Sequence, residues 1–405
     1  MAAISSLLWI ITTLIVIISG IYLRFNLSKN VKKSFEMSNI KDSIKLLNLN
    51  LASKIGVGSI SGIAVAMLIG GAGSIFWIWI SSIFLAPIIY IETKVGIKYR
   101  DNNYIGGPEV YLKTKLNKKL LSTIYSVLII FTYLFAFILI QSNTIVISFE
   151  MFFKIKKELI VLGLSILTYC SINKGITKIS NITSFLAPIM SLIYIVIGVI
   201  VIIENLNKIS MIFLSILESA FSFRSLITLP LIIGFQRSIF SNEAGMGTTS
   251  MISALSSDGD YKKECFFQVL GTYFITLVIC TISALIILTS NYDKLNIVNL
   301  NGIEIINYAF TYHFGKLGNI LLLLIVFLFS FSSLITSYYY GLININYLLN
   351  NKSDAFIKLV VIIVVILSIY ISSSNIWLIV DIFTALTTII NLYALMRLRK
   401  ELLED

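Results

Sequence analysis

The sequence is poor in charged residues, in proline and in the residues that build metal or disulfide sites. Only 13% of its 405 residues are charged, and it has four prolines, three cysteines and one histidine. A soluble domain has about a quarter of its residues charged, so this composition excludes one. The three cysteines, Cys170, Cys265 and Cys280, are odd in number and have no ligand spacing, so they predict neither a disulfide framework nor a transition-metal site.

Long apolar runs fill the sequence instead, and 57% of the residues are hydrophobic. A membrane helix needs roughly 20 apolar residues. Together with two glycine-interrupted segments, 45–70 and 222–250, the runs predict an all-α integral membrane protein with about 11 transmembrane helices. The first run is expected to be a membrane helix and not a signal peptide, because no basic segment precedes it. The runs are 6–23, 74–91, 120–149, 158–172, 182–203, 266–289, 319–349, 359–372 and 376–396.

Lysine and arginine are distributed unevenly between the predicted loops. With the N-terminus outside, the cytoplasmic loops hold 22 of them and the outer loops 7. Cytoplasmic loops carry the basic excess, so we expect a multi-pass plasma-membrane protein with its N-terminus outside and its C-terminus in the cytoplasm. The net charge of +11 is spread over loops that face anionic lipid, which argues against a nucleic-acid-binding domain. The lipid bilayer is the expected environment, and no obligate protein partner is evident.

The helices after the first divide into two sets of five. Residues 1–44 would form the N-terminal helix and a basic loop, 45–398 the core, and 399–405 a cytoplasmic tail. The core repeats, 45–205 and 222–398, would enter the membrane from opposite sides, because five is odd. Each repeat opens with an interrupted helix, and paired interruptions in inverted repeats mark the binding site of a secondary transporter. No phosphate loop, nucleophile elbow or cluster of metal ligands indicates an enzyme.

The first interruption, Gly56-Val57-Gly58-Ser59-Ile60-Ser61-Gly62, is rich in glycine. Its bare backbone N–H groups, next to the N-terminus of a half-helix, suit an anion such as an amino acid carboxylate. Small residues four positions apart, Gly58 and Gly62, equally suit close packing of membrane helices. The residues alone leave both interpretations open.

The second interruption carries two ionisable residues, Arg237 and Glu243, in an otherwise apolar segment. Each costs at least about 2.5–3.5 kcal/mol inside a membrane helix, so a role in gating or ligand coordination is expected. The alternative is an internal pair between Arg237 and Glu243 that holds the bundle together.

The segment Phe240-Ser241-Asn242-Glu243-Ala244-Gly245-Met246-Gly247 resembles the F-S-N-E-A-G-x-G signature of the alanine or glycine:cation symporter family, the sodium:alanine symporters or amino acid carrier proteins. The resemblance extends from about residue 10 to residue 398. It implies a leucine-transporter-like 5+5 inverted repeat with one extra N-terminal helix, and sodium-coupled import of small neutral amino acids. Other segments that resemble the family are 56–62, Ile75-Phe76-Trp77-Ile78-Trp79, Tyr99-Arg100, Gly106-Gly107-Pro108, Gln141-Ser142-Asn143-Thr144 and Ser337-Tyr338-Tyr339-Tyr340-Gly341.

The resemblance also implies roles for individual residues at the substrate site. The backbone of the first interruption would receive the substrate carboxylate, and backbone carbonyls of Phe240 and Ser241 would receive its ammonium group. Gln141, with Asn143 beside it, would contact the substrate from the third core helix. These amides could equally form a hydrogen-bonding patch between helices. The implied substrate-binding residues are Gly56, Val57, Gly58, Ser59, Gln141, Asn143, Phe240 and Ser241.

The family's cation site would lie between the first and eighth core helices. Ser332 and Ser333 occur where the family has a Ser-Thr pair, and carbonyls of Ala52 and Ile55 would complete the oxygen cage that a hard cation prefers. The coupling ion would be sodium, or a proton instead. Serines bonded only to the helix backbone are the alternative.

Three residues depart from the family pattern at this site, since Lys54, Val57 and Ser59 stand where Thr, Thr and Asn are common. The Lys54 ammonium would pair with the substrate, replace a bound cation or titrate, or it would extend to the cytoplasmic interface. Asp381, near the start of the last helix, either lines the outer pathway or bonds to its neighbours. Lys54, Arg237, Glu243 and Asp381 are therefore the candidate coupling or gating residues.

These features predict a secondary active transporter that imports alanine or glycine with sodium by alternating access. A sodium-independent or proton-coupled exchanger or facilitator of the same fold is the first alternative, because of Lys54. A membrane protein that binds an amino acid without transporting it is the second.

Overall fold

The chain folds into a bundle of helices, and no strand occurs among the residues that the computed structural model describes. Those residues are 2–27, 47–48, 51, 54–101, 105–173, 176–222, 228–256, 261–291, 301–349 and 354–403. The helices are α1 Ala2–Leu27, α2 Val57–Gly70, α3 Gly73–Lys98, α4 Pro108–Thr114, α5 Lys119–Phe153, α6 Lys157–Ile172, α7 Ile176–Glu204, α8 Leu206–Ala220, α9 Thr228–Asn242, α10 Thr248–Ser253, α11 Tyr261–Leu288, α12 Gly302–Phe314, α13 Lys316–Leu349, α14 Asp354–Leu367 and α15 Ser373–Leu403.

Seven of the described helices, α1, α3, α5, α7, α11, α13 and α15, are long and apolar enough to cross a membrane. The helices α6 and α14, with 16 and 14 residues, and the two interrupted segments occupy the positions of the four remaining predicted spans. Large apolar side chains of α1, such as Leu7, Leu14 and Ile18, are exposed where a bilayer would cover them.

The extra N-terminal helix α1 lies on the outside of the core, against α3 and α15. Within the core, α9 packs on both α2 and α3, and α13 packs on α5 and α7. The interrupted helices are therefore enclosed by the longer ones. This arrangement places the two breaks in the interior of the bundle.

The two halves of the core repeat the same order of elements. Each begins with an interrupted helix and continues with a long helix, a short helix, a second long helix, a helix of 14 or 16 residues and a final long helix. The short helices are α4 in the first half and α12 in the second. Each covers the interrupted helix of the other half, because Pro108 of α4 lies against Gly247 and Gly302 of α12 lies against Ser61. Because α4 and α12 cover different interrupted helices, the bundle has two distinct ends, which we call the α4 end and the α12 end.

Candidate functional site

The first break separates the turn at Ile55 from helix α2. The Ile55 N–H donates to the Leu51 carbonyl at 2.7 Å, and Gly56 is then extended, with φ −135° and ψ −153°, before α2 begins at Val57. The extended residue frees the N–H of Val57, which donates to Oε1 of Gln141 on α5 at 3.3 Å. Gln141 thus reaches the first break, as the sequence predicts for a residue of the substrate site.

Glycine at positions 56 and 58 lets three other helices approach this break. A Cβ atom on Gly56 would overlap the Ser333 hydroxyl of α13 and lie 2.9 Å from Nε2 of Gln141. A Cβ atom on Gly58 would lie 2.7 Å from the Phe240 ring of α9. A real Cβ atom does not come within 3.0 Å of another heavy atom in this way. Residues larger than glycine at positions 56 and 58 would therefore keep the three helices from approaching the break.

Gly62 differs from these two glycines. A Cβ atom there would meet its nearest neighbour, the Trp377 ring, at an ordinary 3.4 Å. The space around Gly62 therefore admits a methyl group, whereas the space around Gly56 does not.

The second break lies between α9 and α10, where the backbone turns through three left-handed residues. Glu243, Gly245 and Gly247 have φ angles of 50°, 81° and 99°. A side chain at Gly247 would also overlap Pro108 and the Tyr125 hydroxyl, so that position requires glycine for space as well as for conformation. The break places Ser241 beside Gly58, whose Cβ atom would be 3.0 Å from the Ser241 hydroxyl. The two interruptions therefore meet.

The carboxylate of Glu92, fully buried on α3, holds the second break in place. It accepts hydrogen bonds from the N–H groups of Gly245 at 3.3 Å and Gly247 at 2.8 Å, and from the Asn391 side chain of α15. Asn391 also donates to the Gly245 carbonyl at 2.8 Å. These bonds satisfy backbone groups that the broken helix leaves unpaired.

The residues predicted for the site do not include Glu92, although the sequence contains a signal for it. The predicted apolar run ends at residue 91, which puts Glu92 at the membrane surface, whereas helix α3 continues to Lys98. The rule that singled out Arg237 and Glu243, a charge inside a membrane helix, identifies Glu92 once the helix is given its full length.

Lys54 connects the first break to the helix that follows the second. Its side chain is only 4% exposed, and its ammonium donates to the Thr249 hydroxyl at 3.1 Å. Glu243 and Glu92 both act on it electrostatically. Glu243 in turn accepts a hydrogen bond from the Thr248 hydroxyl at 3.0 Å. The ammonium lies inside the bundle among carboxyl groups, and this position contradicts the interpretation that it extends to the membrane surface.

Arg237 pairs with Asp381 of α15, not with Glu243. Its guanidinium lies 2.7 Å from the Asp381 carboxylate and stacks over the Trp377 ring at 4.4 Å. The alternative of an Arg237–Glu243 pair is therefore wrong, because the break turns Glu243 toward Lys54 and the two residues separate. Trp9 of α1 donates to the Asp381 carbonyl at 3.1 Å, so the extra helix is attached at this level.

An aromatic layer lies between Gly58 and this ion pair. The Phe240 ring packs against Phe137 of α5 at 4.9 Å and against Trp377 of α15 at 5.2 Å between centroids. Phe137 and Trp377 have no signal in the sequence that separates them from other buried aromatic residues. Their contacts with Phe240, which lies against Gly58, nevertheless make them part of the site.

Asn143 is directed away from the breaks. Its amide donates to the Ser368 carbonyl at 2.8 Å and accepts from the Ser373 hydroxyl at 2.7 Å, in the link between α14 and α15. It also lines a cavity of about 240 Å³ together with Lys157 and Asn301. The structure therefore separates Asn143 from Gln141, two residues earlier on the same helix.

Comparison with known proteins decides the family. The sequence model of the sodium:alanine symporter family matches residues 1–405 of the chain. This chain belongs to the sodium:alanine symporter family. It is 29% identical to the probable sodium/glutamine symporter GlnT of Bacillus subtilis over 98% of the chain and 87% of that protein. It is also 29% identical to the sodium/alanine symporter AgcS of Methanococcus maripaludis over 86% of the chain and 80% of that protein.

Solved structures show the same fold. A Na⁺-coupled sialic acid symporter in a substrate-bound, outward-open state superimposes with a TM-score of 0.57 at 15% identity, over 95% of this chain and 82% of that one. The leucine-transporter-like fold that the family resemblance implies is thereby confirmed. This member of the sodium:alanine symporter family is a multi-pass, cation-coupled amino acid transporter and not an enzyme.

Two of the predicted cation residues of this symporter, Ile55 and Ser333, lie in or next to the first break. Ser333 lies against Gly56, Ile55 is fully buried, and Ser332 donates to the Phe329 carbonyl at 3.0 Å. Ala52 lies outside the described residues. Hydroxyl and carbonyl oxygens of this kind fit a hard monovalent cation, and Ser333 is the residue whose position beside the break the structure describes directly.

Proposed function

We propose that the protein imports small neutral amino acids, with alanine and glycine as the expected substrates, together with sodium by alternating access. The observation that carries this proposal is the meeting of the two breaks. Gly58 lies against Phe240 and Ser241, and Gln141 bonds to the Val57 N–H at the same place. An amino acid zwitterion has a negative carboxylate that suits the first break and a positive ammonium group that suits the second.

The substrate carboxylate would bind at the first break, between Gly56 and Ser59, because the N-terminus of α2 presents backbone N–H groups and a partial positive charge there. Its ammonium group would bind carbonyls of Phe240 and Ser241, near the C-terminal end of α9, where the helix dipole is negative. The rings of Phe137, Phe240 and Trp377 crowd this region. This crowding supports a substrate with a small side chain.

Sodium would bind beside the substrate, to the hydroxyls of Ser332 and Ser333 and the carbonyls of Ala52 and Ile55. The contact between Ser333 and Gly56 supports this placement, because it puts one predicted ligand at the substrate break itself. A cation there would strengthen carboxylate binding and be strengthened by it, which is how two ligands couple.

We place the N-terminus outside and the C-terminus in the cytoplasm, so that the α4 end faces the cytoplasm and the α12 end the exterior. The unequal division of basic residues supports this orientation. The Arg237–Asp381 pair would then close the outer side of the site, and the Lys54 cluster with Glu92 and Glu243 would close the inner side.

This orientation predicts that a reporter enzyme fused after Glu401 is active only in the cytoplasm. The same reporter fused after Lys208, in a predicted outer loop, serves as the matched control and should report the exterior. A Glu401 fusion that reports the exterior would contradict the placement of both repeats.

Sodium coupling predicts mutual tightening of substrate and sodium binding. Titration calorimetry of the purified protein with alanine, glycine and glutamine, in sodium and in choline buffer, measures it. We expect sodium to lower the substrate Kd by about 5- to 150-fold, the usual range for coupled sites. The double variant Ser332→Ala with Ser333→Ala should lose this effect and keep its sodium-free affinity.

Ser330→Ala, on the same helix and also buried, is the matched control and should keep the coupling. A substrate affinity that is equal in both buffers in the wild-type protein would contradict sodium coupling.

The alternative function is sodium-independent or proton-coupled exchange or facilitation, and one observation favours it. Lys54 places a side-chain ammonium next to the first break, where it bonds to Thr249 and is acted on by two carboxyl groups. If this charge replaces sodium, wild-type binding would be indifferent to sodium, and Lys54→Thr would create a sodium dependence. If the protein binds an amino acid without transporting it, the calorimetric result would be positive while uptake fails.

A further inference from the structure

Glu109 is a buried carboxyl group without a hydrogen-bonding partner, at the α4 end of the bundle. It is the second residue of α4, in the connection between α3 and α5, outside the helices that cross the membrane. Its side chain is fully buried, and neither carboxyl oxygen has a hydrogen-bond partner in the described part of the chain. Its backbone, by contrast, is fixed, since the carbonyl accepts from Ser122 at 2.6 Å and from Tyr347 at 3.0 Å.

The ionisable groups around Glu109 are mainly phenols. The nearby tyrosines on which its charge acts are Tyr111 on α4, Tyr125 on α5 and Tyr347 on α13. Glu92 of α3 adds further negative charge at Tyr111 and Tyr125.

Two basic side chains at this end of the bundle are engaged elsewhere. Lys113 lies over the Tyr347 ring at 5.3 Å. The Arg100 guanidinium donates to the carbonyls of Ala254 and Ser256. No ion pair to Glu109 occurs among the described residues, so only the backbone N–H groups at the start of α4 oppose the cost of burying its carboxylate.

A buried carboxyl group in such surroundings keeps its proton, because an unpaired ion away from water costs several kcal/mol. Burial raises the pKa of Glu109 to about 7. In water the pKa of a glutamate is about 4.3. The proton is therefore held more tightly when Glu109 is covered than when water reaches it.

Glu109 lies beside the contact of α4 with the region of the second break, since Tyr125, on which its charge acts, donates to the Met246 carbonyl at 2.6 Å. Pro108 lies against Gly247, and a Cβ atom on Gly106 would lie 2.7 Å from the Ala254 side chain. Glu109 follows Pro108 directly. Separation of α4 from α10 would thus open its surroundings to water.

We propose that Glu109 is a proton-binding site that controls the separation of α4 from α10. The carboxylic acid is present while the two helices are in contact, and on separation its O–H bond breaks and the proton passes to water, leaving a hydrated carboxylate. This proposal rests on the proposed transport function only in one respect, the assignment of the α4 end as the cytoplasmic exit of the substrate. By linkage, the helices separate more readily as the pH rises between the two pKa values, and the separated fraction increases about tenfold between pH 6 and pH 8.

Thiol labelling in liposomes tests this site without substrate or sodium. Ala254→Cys puts a thiol at a position that is fully buried while α4 and α10 touch, and Lys118→Cys puts a reference thiol at an exposed position between α4 and α5. Maleimide labelling of both is read by mass spectrometry between pH 6 and pH 8. The rate at position 254 divided by the rate at position 118 removes the pH dependence of thiol chemistry. We expect this ratio to rise about tenfold in the protein with Glu109 intact.

Glu109→Gln should make the ratio independent of pH, because glutamine cannot release a proton. Glu304→Gln, on the corresponding helix α12, is the matched control and should keep the tenfold rise. If Glu109→Gln does not fold, Glu109→Met tests the same loss of titration. A flat ratio with Glu109 intact, or an unchanged rise in the glutamine or methionine variant, would overturn the proposal. The labelling result does not depend on substrate or sodium. Failure of this proposal can therefore be distinguished from failure of the proposed transport function.

Discussion

Replacing Gly56 by alanine is expected to weaken alanine binding by about 10- to 100-fold. The added Cβ would overlap the Ser333 hydroxyl and approach Gln141 to 2.9 Å, at the point where the two breaks and the predicted sodium ligand converge. Overfilling a packed site costs typically 1–3 kcal/mol, which corresponds to this loss of affinity. Calorimetry with purified, monodisperse protein in sodium buffer measures it.

Gly62→Ala provides the matched control for this prediction. It adds the same methyl group within the same glycine-rich segment, but its nearest neighbour is 3.4 Å away, so binding should change by less than about threefold, as for most tolerated substitutions. If both variants lose affinity equally, the glycines of this segment serve helix packing alone. The anion-binding interpretation of the first break would then fail.

Replacing Lys54 by methionine is expected to destabilise the folded protein by about 3–5 kcal/mol, the usual cost of leaving a buried charge without its partner. The ammonium faces Glu243 and Glu92 and bonds to Thr249, and methionine offers none of these interactions. The thermal midpoint of the purified protein in detergent, followed by size-exclusion chromatography, measures the change.

Neutralising one carboxyl group should restore part of that stability. The double variant Lys54→Met with Glu243→Gln is expected to recover about half of the loss, because fewer buried charges are left uncompensated. Lys208→Met is the matched control, since Lys208 is only partly buried and lies over the Tyr312 ring. A Lys54→Met protein as stable as the wild type would show that the ammonium does not compensate the buried charge of the carboxyl groups.

The helical bundle and its two breaks could be predicted from the sequence because both depend on local composition. Apolar runs define the membrane helices, and glycine clusters define the places where those helices stop. Gln141 could be predicted from its polarity within a long apolar helix, and the structure places it at the first break. Its role in substrate binding stays a prediction.

Asn143 is predicted beside Gln141 because the two are close in the sequence, but the helix separates them. Two residues apart on an α-helix, side chains point about 200° away from each other, so Gln141 and Asn143 cannot face the same ligand. The helical period alone would have separated them. The structure does so, with Asn143 bonded to the link between α14 and α15.

Ion pairing could not be predicted, because it depends on contacts between distant parts of the chain. Arg237 lies six residues from Glu243, yet it pairs with Asp381, 144 residues away. The left-handed turn that begins at Glu243 redirects that carboxylate, and no residue type in the sequence specifies the direction. Likewise, only the folded structure brings Lys54 to Thr249, 195 residues further along the chain.

Uptake of radiolabelled alanine and glycine into liposomes tests the central claim, a small amino acid bound between the two breaks and coupled to sodium, most directly. We predict accumulation under an inward sodium gradient, its loss when an ionophore collapses that gradient, and its loss again in Gly56→Ala but not in Gly62→Ala. Equal uptake in sodium and choline, or equal uptake by the two glycine variants, would contradict the account.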